Sequence, residues 1–160
     1  MSGPDKKKLD KMIWQLREGW GESIRIEAAR DLGWIGTDAA EEAVPELMKA
    51  LLEDKSENVR VEAALALQWI GTKAQEAILA LVQALNEDPS EKVRERAALV
   101  LQGMEKNNGN ALKALFVASK NDKSTQVREA ATKSLEKLVE KFEHKSISEL
   151  LKVNKISTSK

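Results

Sequence analysis

The sequence has 160 residues, 42% of them hydrophobic and 32% charged, enough for one domain with its own buried core. Basic and acidic residues balance at 26 each, so no net field draws the chain toward phosphate backbones or anionic membranes. The absence of cysteine excludes disulfides and thiolate chemistry, and a single histidine, His144, supports neither a multi-histidine metal site nor a Ser–His–Asp triad, so no metal or cofactor is expected.

The opening residues, Met1 to Asp10, are polar, and no run approaches the roughly 20 apolar residues that cross a bilayer. A cytoplasmic location is the default expectation. From there the chain reads as helix pairs. The first pair occupies about residues 5–37. Its first helix carries Leu9, Met12, Ile13 and Leu16, and a Gly19-Trp20-Gly21 connector leads to a second helix beginning Ile24-Arg25-Ile26-Glu27-Ala28-Ala29. Gly36 follows as a stop signal.

The second pair, about 38–72, opens with Asp38 and Glu41 at capping-box spacing, with Pro45 early in the helix. Val44, Leu47, Met48 and Leu51 face inward, and the second helix begins Val59-Arg60-Val61-Glu62-Ala63-Ala64 and stops at Gly71. The third pair, about 73–106, places Ile78, Leu79, Leu81, Val82 and Leu85 before Val93-Arg94-Glu95-Arg96-Ala97-Ala98. The fourth, about 107–142, places Leu112, Leu115 and Phe116 before Val127-Arg128-Glu129-Ala130-Ala131-Thr132. A capping box at Ser146 and Glu149 starts a final helix within about 143–153, read as a lid on the stack, and 154–160 reads as a flexible tail.

The four second helices are versions of one segment. Their arginines, 25, 60, 94 and 128, recur every 34 to 35 residues. Each has a later leucine, Leu32, Leu67, Leu101 or Leu135, followed by Ile35, Ile70, Met104 or Leu138. A period of this length marks a solenoid, because one helix pair cannot bury its apolar face alone and stacked pairs can. The expected fold is therefore all-α: a solenoid of four antiparallel helix pairs plus a C-terminal capping helix, forming a single domain over 1–153.

The pattern Val-Arg-x-x-Ala-Ala-x-x-Leu-x-x-Ile-Gly, best matched by Val59 to Gly71 after Ala43 to Leu51, resembles the HEAT-like repeats first named from phycobilisome lyases. The resemblance covers roughly residues 9–140. It implies an α-solenoid whose second helices line a concave groove, and a structural Asp–Arg ladder. An aspartate precedes three of the arginines by six residues, as Asp54, Asp88 and Asp122. Two departures mark the ends: Gly19 stands where later repeats have an acid, and Thr132 enters the core frame of the fourth repeat. Members of the family serve as lyases, regulatory subunits, scaffolds and nucleic-acid binders.

The side of each second helix opposite its core face should be polar, yet in the first two repeats it is apolar and aromatic. It carries Ile26, Glu27, Arg30 and Trp34, then Val61, Glu62, Leu65 and Trp69, with Arg96 and Leu99 in the third repeat. These ten residues are the expected protein-binding site, since exposed aromatic patches with a charged rim mark interfaces. The expected function is a non-catalytic scaffold for a protein or peptide partner, with a second copy of the chain as one candidate for the Trp34/Trp69 patch. The alternatives are a nucleic-acid-binding HEAT-like protein and a subunit of a lyase-type enzyme. Nucleic acid is disfavoured by Glu27, Glu62, Glu95 and Glu129 on the same face. Trp14 and Trp20 are expected to cover the N-terminal end of the stack.

Overall fold

A computed structural model describes residues 5–36, 40–71, 76–103 and 108–157. Its described residues form helices and no strand: α1 Lys6–Glu18, α2 Glu22–Ile35, α3 Ala40–Glu53, α4 Glu57–Ile70, α5 Ile78–Glu87, α6 Glu91–Leu101, α7 Gly109–Asn121, α8 Thr125–Lys141 and α9 Ile147–Val153. The helix starts follow the sequence signals. Ser56 Oγ accepts from the Asn58 and Val59 amides to cap α4, Asn108 caps α7 and Ser146 caps α9. Gly36 and Gly71 end α2 and α4 with φ of 67° and 69°, a backbone conformation that favours glycine. Pro45 lies in the second turn of α3, early in the helix as its sequence suggests. Asp38, half of the expected capping box, and Met104 lie outside the described residues.

The helices stack in two layers. α1, α3, α5 and α7 neighbour one another on one side, and α2, α4, α6 and α8 on the other. The repeated alanine pairs explain the close fit of the second layer: Ala28 and Ala29, Ala63 and Ala64, and Ala97 and Ala98 are all buried at the helix–helix seams. Leu32, Leu67, Leu101 and Leu135 run through the core at one point per repeat, each contributing about 1.5–3 kcal/mol by leaving water. The second helices touch more extensively than the first helices do. Thr132 is accommodated because its Oγ1 donates to the Arg128 carbonyl at 2.9 Å.

α9 closes the C-terminal end with Leu150 and Leu151 buried. The start of the expected tail is anchored to it: the Asn154 and Ile156 amides donate to the Leu150 and Leu151 carbonyls, and Ile156 packs against the core. Among the described residues, no helix is long and apolar enough to cross a membrane.

Candidate protein-binding face

Three of the four second-helix arginines reach out of their own repeat. Arg25 Nε and Nη2 donate to the two oxygens of Asp54 at 2.7 and 3.1 Å. Arg60 does the same to Asp88 at 2.7 and 3.0 Å, and Arg94 to Asp122 at 2.8 and 3.0 Å. The third nitrogen, Nη1, turns back to the connector carbonyl of the same repeat, Gly19 for Arg25, Asp54 for Arg60 and Asp88 for Arg94. The six-residue spacing in the sequence is thus a bond to the backbone of the aspartate, and the carboxylate serves the preceding repeat. Arg128 keeps the backward bonds, to Asp122 and Lys123 carbonyls, and adds Thr125 Oγ1.

The ladder is a structural device, since Arg25, Arg60 and Arg94 are all buried and bidentately paired. Burial alone would raise the Asp122 carboxyl, but the Arg94 hydrogen bond, the Ser124 amide and the Arg94 charge outweigh it and hold the group below its ordinary value. A second row runs beside it, one with no counterpart in the sequence reading. Glu22 accepts from Ser56 Oγ and Asn58 Nδ2, both at 2.7 Å, and Glu57 accepts from Ser90 Oγ at 2.7 Å and Lys92 Nζ at 3.0 Å. These bonds lower both carboxyl groups, the serine hydroxyl contributing most in each.

On the layer of second helices, Trp34 and Trp69 stand in contact, with ring centroids 5.5 Å apart and planes tilted by 45°. They are 71% and 44% exposed, so neither indole is absorbed into the helix layers. Gly33 makes this possible. A Cβ there would lie 2.8 Å from Ala66 Cα and 2.9 Å from Trp69 Cε3, so the bare backbone of α2 lets α4 approach and gives the Trp69 ring a floor. Gln68 and Gln102 occupy the corresponding places in the next two repeats, and a lone glycine inside the last turn of α2 was the sequence signal that could have marked this contact.

The other expected site residues fall around the indoles in varied settings. Ile26, Val61, Leu65, Arg96 and Leu99 are half-buried, and Glu27 and Arg30 are exposed. Glu62 is only 9% exposed; it accepts from Arg30 Nε and Nη2 at 3.1 and 3.2 Å across the α2–α4 seam. Its carboxylate is therefore a link between repeats beside the aromatic pair, not an open rim charge. Trp14 and Trp20 depart from expectation. They are 56% and 96% exposed, so Trp20 stands in water and Trp14 keeps more than half of its surface there.

The family model for HEAT repeats matches residues 9–102 and 78–155. No curated protein matches the chain. Among solved structures, the complex of CpcE and CpcF of phycocyanin lyase from Nostoc sp. PCC7120 contains a chain that is similar at 23% identity. The match covers 98% of this chain and 93% of that chain, with a TM-score of 0.66. An engineered protein is similar at 26% identity over 82% of this chain and 62% of its own, with a TM-score of 0.60. The first likeness overturns the expectation that the chain is not an enzyme. That expectation rested on missing catalytic motifs, and a chain of this fold is nonetheless part of a lyase complex. A site assembled on a helical surface leaves no compact motif in one sequence, so absent motifs do not exclude activity. The recurring Val-Arg-x-x-Ala-Ala segment, its arginine ladder and the family match along most of the length lead to one conclusion: the chain belongs to the HEAT repeat family.

Proposed function

We propose that this HEAT-like repeat scaffold binds a protein partner through the exposed face of α2 and α4, with Trp34 and Trp69 as paired anchors. The observation that carries the reading is the exposed indole pair itself. Two large apolar side chains in mutual contact on a face otherwise free to be polar are costly in water and well suited to an interface core. Leu65 and Val61 extend the apolar floor, and Glu27 and Arg96 stand at its edge. An amphipathic helix or an extended segment presenting one apolar side chain fits the pair. The phycocyanin lyase likeness supports the same use, since that chain is found in a complex with another protein.

The test is a helical-peptide library selected on the wild-type protein and re-measured on Trp34→Ala/Trp69→Ala. Binders should lose about 30-fold or more in affinity, the hot-spot scale of about 2 kcal/mol. Selected peptides that bind the double variant equally well would refute the assignment. The same likeness favours a second reading, in which the chain is a component of a lyase-type complex. Substituting it for one subunit in a phycocyanin lyase assay reads this directly, and no restored activity sets it aside.

A further inference from the structure

The junction between repeats has three parts, and the N-terminal end of the stack lacks two of them. Each later repeat receives its predecessor's arginine on an aspartate, its predecessor's glutamate on a serine hydroxyl where the second row forms, and seats its own leading valine against it. Gly19 stands at the place of Asp54 and Gly21 at the place of Ser56. Val59, Val93 and Val127 are fully buried, whereas Ile24, their counterpart, is 40% exposed. In place of the polar receivers the end presents Trp20, and a shallow cleft there is lined by Asp10, Ile13, Trp14, Arg17, Glu18 and Trp20.

This end cannot accept the C-terminal end of another copy by the chain's own junction. The aspartate that Arg128 would need is Gly19, and α9 already covers the far end. The exposed strip of α1 is instead complementary to itself. Asp10, Ile13, Trp14 and Arg17 lie on one face at spacings of three, one and three residues, an acid, two apolar groups and a base. Turned about a two-fold axis between positions 13 and 14, the strip sets Asp10 opposite Arg17, and Ile13 opposite Trp14, twice over. The antiparallel crossing also keeps the lysine-rich start of each α1, Lys6, Lys7, Lys8 and Lys11, away from its mate and near the other copy's Glu18. Within one copy Glu46 accepts from Nε and Nη2 of Arg17 and Lys6 pairs with Asp10 at 3.6 Å, so Nη1 of Arg17 is what meets the mate's Asp10.

We infer that the N-terminal end of the solenoid is a homodimer interface, in which two copies pair through α1 about a two-fold axis, with Trp14 and Trp20 as anchors. This surface is separate from the Trp34/Trp69 face and leaves it open. Sedimentation equilibrium of the full chain tests it, with helicity and melting recorded for every variant. The wild type should show a dimer fraction rising with concentration. Trp14→Ala/Trp20→Ala and Asp10→Arg should both lose it, Asp10→Arg with Arg17→Asp should regain it, and Trp34→Ala/Trp69→Ala should leave it unchanged. A monomer at every loading up to about 1 mM, where even a millimolar Kd gives substantial dimer, overturns the inference. So does a dimer that survives Trp14→Ala/Trp20→Ala or vanishes with Trp34→Ala/Trp69→Ala, and failure of the charge swap to restore pairing overturns the two-fold register.

Discussion

Arg60 shows how much one side chain does in a solenoid. Its guanidinium joins the Asp88 carboxylate of the next repeat to the Asp54 carbonyl of its own, and almost none of it meets water. Arg60→Ala leaves Asp88 with a buried charge and only the Ser90 amide as partner, so a loss of about 3–5 kcal/mol is expected. Thermal unfolding should register this as a fall on the order of 10 °C. Arg60→Lys should recover little, because an ammonium cannot match the fork of three bonds; recovery to wild-type melting would mean that charge, not geometry, carries the link. Asp122 adds a pH signature. Its folded pKa is depressed, so the Arg94 link contributes in full above the unfolded value of about 3.9 and is lost as pH falls through the lower folded value. The melting temperature of the wild type should hold from neutral pH to about 5 and drop below about 4. Asp122→Asn should be less stable at neutral pH and should show a shallower acid drop.

At the scale of the element, the α2–α4 contact depends on a residue chosen against helix propensity. Alanine is favoured over glycine in a helix interior by roughly 0.5–1 kcal/mol, yet Gly33→Ala would drive a methyl to within 2.9 Å of the Ala66 Cβ and the Trp69 ring. Overpacking costs about 1–3 kcal/mol and should win. The variant should melt lower, and its tryptophan fluorescence should change as Trp69 is pushed off its floor. A stabilised Gly33→Ala protein would show that α2 and α4 can part without loss and that the indole pair is not set by backbone approach.

At the scale of the whole molecule, stability is close to a sum of repeats and the junctions between them. α9 caps that sum with two buried leucines on a helix too short to hold itself. Leu150→Ala/Leu151→Ala should release it. Hydrogen exchange should then show α9 and the adjoining turns of α8 losing protection while α2 and α4 keep theirs. Loss of protection along the entire chain would mean that the stack unfolds as one unit.

How far the sequence went differs by feature, and the reason is physical. Helix identity, the pairing of helices and the core leucines follow from periodicity within a short window, repeated four times, and the structure keeps them. The Ser146 cap and the stops at Gly36 and Gly71 are equally local. The stacking of Trp34 on Trp69 was also within reach, because two residues one repeat apart must face each other in a solenoid. What only the tertiary structure decided are the contacts between unlike positions of neighbouring repeats. Arg60 and Arg94 bond the carboxylate of the following repeat's aspartate and only the backbone carbonyl of the one six residues before, Glu62 turns into the seam to meet Arg30, and Gly33 meets Ala66. Trp20 stands in water where an end cover was expected. A repeat period says which residues are equivalent; the rise and rotation from one repeat to the next, set by alanine- and glycine-sized seams, say which inequivalent residues touch.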